Sequence, residues 1–191
     1  MEHAAYLGSE LQKAEIAAWE AATALRQSRK KAAELLSERI LKELAQLDMP
    51  RVQFSCEFTE TELTALGADG VVFYMSANAG EALKPMSKVA SGGELARIML
   101  AVKSVLAKAE NIGTMIFDEV DTVISGATSS RIGMRLKALA GETKQVICVT
   151  HSAQIAALAK NHLLISKSAS FGRTETHVKK LSRDGRIKEM K

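Results

Sequence analysis

The chain has 191 residues, 47% of them apolar, and a formal net charge of +4. That length and composition suffice for one filled core with an appended element. The absence of any run of eighteen uncharged apolar residues excludes a membrane-spanning helix, and the start "MEHAAYLGSE" lacks the basic head and apolar centre of a signal peptide.

Residues 4–47 contain no proline and one glycine. Leu7, Leu11, Ala14, Ala18, Ala21 and Leu25 recur at heptad steps, a seam whose small residues admit a close partner helix. The seam stops at Ser28, within "RQSRKK", and resumes in another register at Leu36, Ile40, Leu44 and Leu47. The pattern predicts a long helix of coiled-coil type over residues 1–48 that changes its packing face midway and ends before Pro50. An amphipathic helix lying on a domain gives a similar pattern.

Val52, Phe54, Cys56 and Phe58 alternate with polar residues, as in a half-buried strand. "GVVFYMSA" reads as a second strand, the polar "TETELTALGAD" as the connection between them, and "NAGEALKPMSKVA" as a loop. A helix over about residues 93–109 follows, then a short buried strand "GTMIFDEVD", a helix over 127–140, a buried strand "KQVICVT" and a short helix "SAQIAALA". "HLLISKS" and "THVKKLS" read as closing strands. Strands alternating with helices predict a layered α/β domain over residues 49–191 with a central, largely parallel sheet. Cys56 and Cys148 form no C-x-x-C pair and read as core thiols of a reduced, cytoplasmic protein. Residues 160–191 carry nine basic and three acidic side chains. Such an excess can face nucleic acid or simply solvent, and Phe171 alone is too little for a base-stacking platform.

Three short stretches carry chemistry. Ser91, Gly92, Gly93 and Glu94 stand directly ahead of a helical run. The first turn of a helix has unpartnered N–H groups and a partial positive charge, and glycines let an anion reach them. The same tetrapeptide also makes a plain turn with Ser91 as N-cap. "TMIFDEVD" puts Asp118 and Glu119 at the end of a strand, where α/β proteins bind ligands. Adjacent carboxylates there point to opposite sides, so one can hold magnesium through its waters and the other can activate an attacking water; two solvated loop acids are the plainer alternative. "VICVTHS" places His151 after the next strand, where it can contact phosphate oxygens, act as a base, or be structural. His3, His162 and His177 share no ligand spacing with it, so zinc is not supported. The two strand ends should open onto one edge of the sheet.

In this order the three motifs resemble the ATP-binding cassette superfamily: Ser91 to Glu94 its signature motif, Met115 to Glu119 its Walker B strand with the following glutamate, Ser125 and Gly126 its D-loop, and His151 its switch histidine. "NAGEALKPMSKVASGGELARIMLAVK", "FDEVDTVISG" and "QVICVTHSAQIAALA" are most similar to the SMC-like DNA repair members of that superfamily, in which a coiled-coil helix precedes the head. Ala90 before the serine suits those members, whereas Val123 stands where they commonly carry glycine. No G-x-x-x-x-G-K-[ST] phosphate loop occurs in the chain.

The resemblance implies the C-terminal lobe of a split ATPase head, whose Walker A loop lies in an N-terminal lobe of the same protein. It implies ATP and magnesium as cofactors, with Asp118 supporting the metal, Glu119 polarising water and His151 contacting the γ-phosphate. Ser91, Gly92, Gly93 and Glu94 would cap the nucleotide of a second head in an ATP-dependent dimer, with Ser125 and Gly126 at the seam. ATP hydrolysis is expected only with the other lobe and head dimerisation, in a cytoplasmic, nucleoid-associated protein that acts on DNA in double-strand break repair and recombination. The alternatives are a non-catalytic coiled-coil interaction module and a DNA-binding module acting through the basic tail.

Overall fold

A computed structural model describes residues 2–77, 80–88, 92–107, 112–122, 124, 126–141, 144–170 and 173–190. Its contacts divide the chain into two units: Met1–Ala45 with Met49–Ala90, and Gln46–Asp48 with Ser91–Lys191.

The first unit is built on one helix, α1 (Glu2–Gln46). The two registers of the apolar pattern behave differently. Ile40 and Leu44 are buried, whereas Leu7, Leu11 and Leu25 of the first seam are exposed along with Tyr6, Ile16 and Trp19. The helix stops at a non-glycine residue in the left-handed region, Asp48 at φ 62°, two residues ahead of the proline expected to end it. Strand β1 (Gln53–Thr64) pairs antiparallel with β2 (Gly67–Ser76), and β2 with the short β3 (Lys84–Pro85).

This corrects two expectations. The stretch 59–69 is mostly strand: Thr59, Glu60 and Thr64 pair across the ladder, and only Ala65 and Leu66 turn. Its β-branched threonines suit a pleat solvated on both faces, which carries no apolar alternation to read. Part of the expected loop also pairs, with Lys84 opposite Met75.

The hairpin is fastened to α1 by charge. Arg26 donates to Asp69, to Glu60 at 2.8 Å and to the Ala68 carbonyl at 3.2 Å, while Arg29 donates to the Leu66 carbonyl at 2.8 Å. Gly67, at φ 96°, lets the turn approach so closely that a Cβ there would sit 3.1 Å from the Leu25 side chain.

The second unit holds α2 (Gly92–Leu106), β4 (Thr114–Asp118), α3 (Ala127–Ala140), β5 (Gln145–Val149), α4 (Ala153–Leu158), β6 (Leu163–Ser170), β7 (Arg173–Lys180) and α5 (Arg183–Glu189). Strands β4 and β5 are parallel, in register from Thr114 opposite Gln145 to Asp118 opposite Val149; β6 and β7 form an antiparallel hairpin. The parallel part of the sheet is therefore two strands among the described residues. Met115 and Phe117 are buried on one face, joining a core with Ile98, Leu100, Ile132, Leu136 and Ile155. Both strands were expected to be buried throughout, yet their other face is open: Ile116 is 69% exposed, and Ile147 and Val149 are exposed beside it. Parallel strands ordinarily have both faces covered. Helix α5, unanticipated from sequence, starts at an N-cap where Ser182 accepts from the Gly185 N–H, and its Arg186 caps the end of α4 by donating to the carbonyls of Ala156, Ala157 and Ala159. Among the described residues no helix is long and apolar enough to cross a membrane.

Candidate functional site at the β4 and β5 strand ends

Because β4 and β5 run parallel and in register, the residues after them emerge on one edge of the sheet. Asp118 is the last residue of β4 and Glu119 follows it, while Thr150 and His151 follow β5. Asp118, Glu119 and His151 are exposed and Thr150 half-buried. Glu119 takes a left-handed conformation at φ 53°, which costs a non-glycine residue about 1–3 kcal/mol, a strain that functional sites often hold. The turn is held by Thr122, whose N–H and hydroxyl both donate to the Glu119 carbonyl, at 3.2 and 2.9 Å.

Thr122 also explains one of the paired glycines. A Cβ at Gly93 would lie 2.6 Å from the Thr122 carbonyl oxygen. The start of α2 is thus pressed against the turn that carries Glu119, and the bareness of Gly93 is used by a backbone of its own chain. Gly93→Ala is expected to cost about 1–3 kcal/mol by overpacking. Thermal unfolding checks this, and an unchanged midpoint would show that the turn yields. Glu94 lies in the first turn of α2, where a carboxylate meets the positive end of the helix. Gly126, at φ 60°, is the N-cap residue of α3. Ser91 and Ser125 lie outside the described residues.

Between the two strand ends sits an acid that sequence reasoning passed over. Asp121 is 1% exposed. Its Oδ2 accepts the Thr150 hydroxyl and the backbone N–H groups of His151 and Ser152, the latter two at 3.0 Å, and lies 3.4 Å from His151 Nδ1. Burial works to raise its carboxyl, but the Thr150 hydroxyl, backbone N–H donors and the His151 ring hold it below its ordinary value. Ser152 continues the loop as N-cap of α4, accepting from the Ile155 N–H at 3.5 Å. The available signal was a third acid two residues past Glu119, in "DEVD". Cys148 is half-buried rather than a core thiol; burial, then the charges of Asp121 and Asp118, push its thiol up to about 11, so it is not a nucleophile at neutral pH.

No group of three metal-ligating side chains occurs among the described residues. Magnesium usually takes one or two carboxylates from a protein and completes its shell with waters and substrate phosphates. Asp118 and Glu119, exposed at a strand end, are carboxylates of that kind.

No family model matches the chain. It is 40% identical over 172 residues to the DNA repair protein RecN of Vibrio cholerae, covering 89% of this chain and 31% of that protein. To the Bacillus subtilis RecN it is 40% identical over 180 residues, 86% of this chain and 31% of the relative. To that of Deinococcus radiodurans it is 43% identical over 169 residues, 87% and 29%. The chain thus spans about a third of the length of these relatives. Among solved structures it resembles the Smc head domain with a coiled coil and joint of Pyrococcus yayanosii (TM-score 0.61, 22% identity, 85% of this chain and 29% of that one). It also resembles an SMC ATPase chain studied for ATP-driven dimerization and DNA-stimulated activation (TM-score 0.53, 23% identity, 85% and 92%). The fold is that of the SMC head, and over the residues it spans the chain matches part of the RecN DNA repair proteins at 40–43% identity.

Proposed function

We propose that this chain is the C-terminal lobe of an ATP-hydrolysing head, with residues 1–48 as the arm helix and 49–191 as the lobe, in a cytoplasmic, nucleoid-associated protein acting in DNA double-strand break repair and recombination. The observation that supports it best is the parallel register, which brings Asp118, Glu119 and His151 to one edge while Gly93 presses the start of α2 against the Glu119 turn. Phosphoryl transfer needs positioning and charge stabilisation more than covalent chemistry, and these residues offer both.

The roles divide as follows. Asp118 supports magnesium, which supplies charge neutralisation to the phosphates when bound. Glu119 orients and deprotonates the attacking water. His151 donates to the γ-phosphate. Ser91, Gly92 and Gly93 cap the nucleotide of a second head, with Ser125 and Gly126 at the seam of that dimer. The Walker A loop comes from the N-terminal lobe of the same protein. The exposed apolar residues of α1, Leu7, Leu11, Ile16 and Trp19 among them, favour a partner helix along the arm, compatible with the same head.

Ser91→Arg in the full-length protein tests the division of labour. It is expected to abolish ATP-driven head dimerisation while leaving nucleotide affinity within about threefold, because the serine serves the partner's nucleotide and an arginine blocks the helix mouth. Nucleotide titration and sizing of the variant check it. Equal loss of binding and dimerisation would mean that Ser91 is only a helix cap.

A further inference from the structure

Asp121 has no place in the division of roles above, and it is too buried to touch a nucleotide. An ionised carboxylate inside a protein costs several kcal/mol unless it is paired and hydrogen-bonded. Here Oδ2 takes three hydrogen bonds, all from residues 150–152. The other oxygen, Oδ1, is buried with no hydrogen-bond partner among the described residues. The acid is therefore committed to one loop.

That loop carries His151, whose side chain is 78% exposed and so is held by little packing of its own. The two backbone N–H groups on Oδ2 fix where the loop runs. The ring's Nδ1 lies 3.4 Å from the same oxygen, so Nδ1 faces the acid and Nε2 is turned away from it. At its other end Asp121 is two residues past Glu119, in the turn that Thr122 holds; the Asp121 carbonyl also accepts from the Ile124 N–H at 3.3 Å. One side chain thus ties the turn bearing the water-activating carboxylate to the loop bearing the histidine.

We propose that Asp121 is a positioning residue for His151: through Oδ2 it sets the place of the 150–152 loop and presents Nε2 to the terminal phosphate of the nucleotide. This rests on the phosphate-contacting role given to His151 above. A misplacement of about 1 Å at such a group costs on the order of a hundredfold in rate. Loss of the charge is expected to lower turnover between about ten- and a hundredfold, with KM for ATP within about twofold, since the nucleotide is bound mainly elsewhere.

The test is a double-mutant cycle in the full-length protein, measuring kcat and KM for ATP in the parent, Asp121→Asn, His151→Ala and the double variant. The inference expects the double variant to be no slower than His151→Ala alone, because the acid acts through the histidine. Multiplied losses would overturn it, showing that Asp121 acts on the fold generally. Parental turnover in Asp121→Asn beside a clear loss in His151→Ala would overturn this inference alone. Parental turnover in His151→Ala would overturn the phosphate-contacting role and this inference with it. If Asp121→Asn does not fold, Thr150→Val enters the same cycle, removing one donor to Oδ2 and leaving the acid. A smaller kcat loss that vanishes in the His151→Ala background supports the inference, and one that persists there, or no loss in the parent background, overturns it.

Discussion

Glu119→Gln in the full-length protein is expected to bind ATP at close to parental affinity and to hydrolyse it about a hundred- to ten-thousandfold more slowly, the usual cost of a lost general base. The substitution isolates the chemistry because the residue is held by its backbone. Its carbonyl takes both Thr122 donors, its φ is 53°, and its side chain is exposed, so an amide of the same shape leaves the turn as it is. Binding survives because Asp118 and the phosphate loop expected from the N-terminal lobe are untouched, and ATP-bound dimers should accumulate. Phosphate release together with nucleotide titration measures both quantities. Parental turnover would show that the carboxylate after Asp118 is not the base, and would return Asp118 and Glu119 to solvated acids at a strand end.

The elements around the site were the most legible part of the sequence. Helix α3 occupies the span 127–140 that its pattern predicts, and β4, β5 and α4 fall within their apolar runs, because short apolar segments between breakers leave few alternatives. The common edge for Asp118, Glu119 and His151 follows from two strands running parallel, which alternating strands and helices imply. Side-chain exposure was harder to read. Ile116, Ile147 and Val149 are apolar in sequence, but nothing among the described residues covers their face. The polar threonine run of β1 pairs through its backbone ladder, with the Thr59 and Thr64 hydroxyls donating to the Gly70 and Gly67 carbonyls, which hydrophobic periodicity does not report. Asp121 was invisible for another reason: its partners are about thirty residues downstream, and only the fold joins them. Gly93 was legible as a glycine needed for close approach, but the approaching group is the Thr122 carbonyl, which no local pattern specifies.

The second large effect concerns the 191-residue chain by itself, which should neither bind ATP tightly nor hydrolyse it. Asp118 and Glu119 repel a triphosphate unless magnesium and a lysine-bearing loop offset its charge, and the chain has no G-x-x-x-x-G-K-[ST] to supply that loop. In the proposed head the start of α2 offers only part of a coordination shell, and offers it to a second head. The exposed face of β4 and β5, with Ile116 at 69%, should also make the lone chain self-associate. An N-terminal lobe of the same family, added in equal amount, should restore nucleotide binding and suppress association together, since both needs arise at the same sheet. The decisive measurement is phosphate release from ATP and magnesium by the purified chain, with and without that lobe. Release at background for the chain alone and sustained turnover with the lobe is the predicted result; robust turnover by the chain alone would contradict a split head, because it would require a phosphate site that this sequence does not contain.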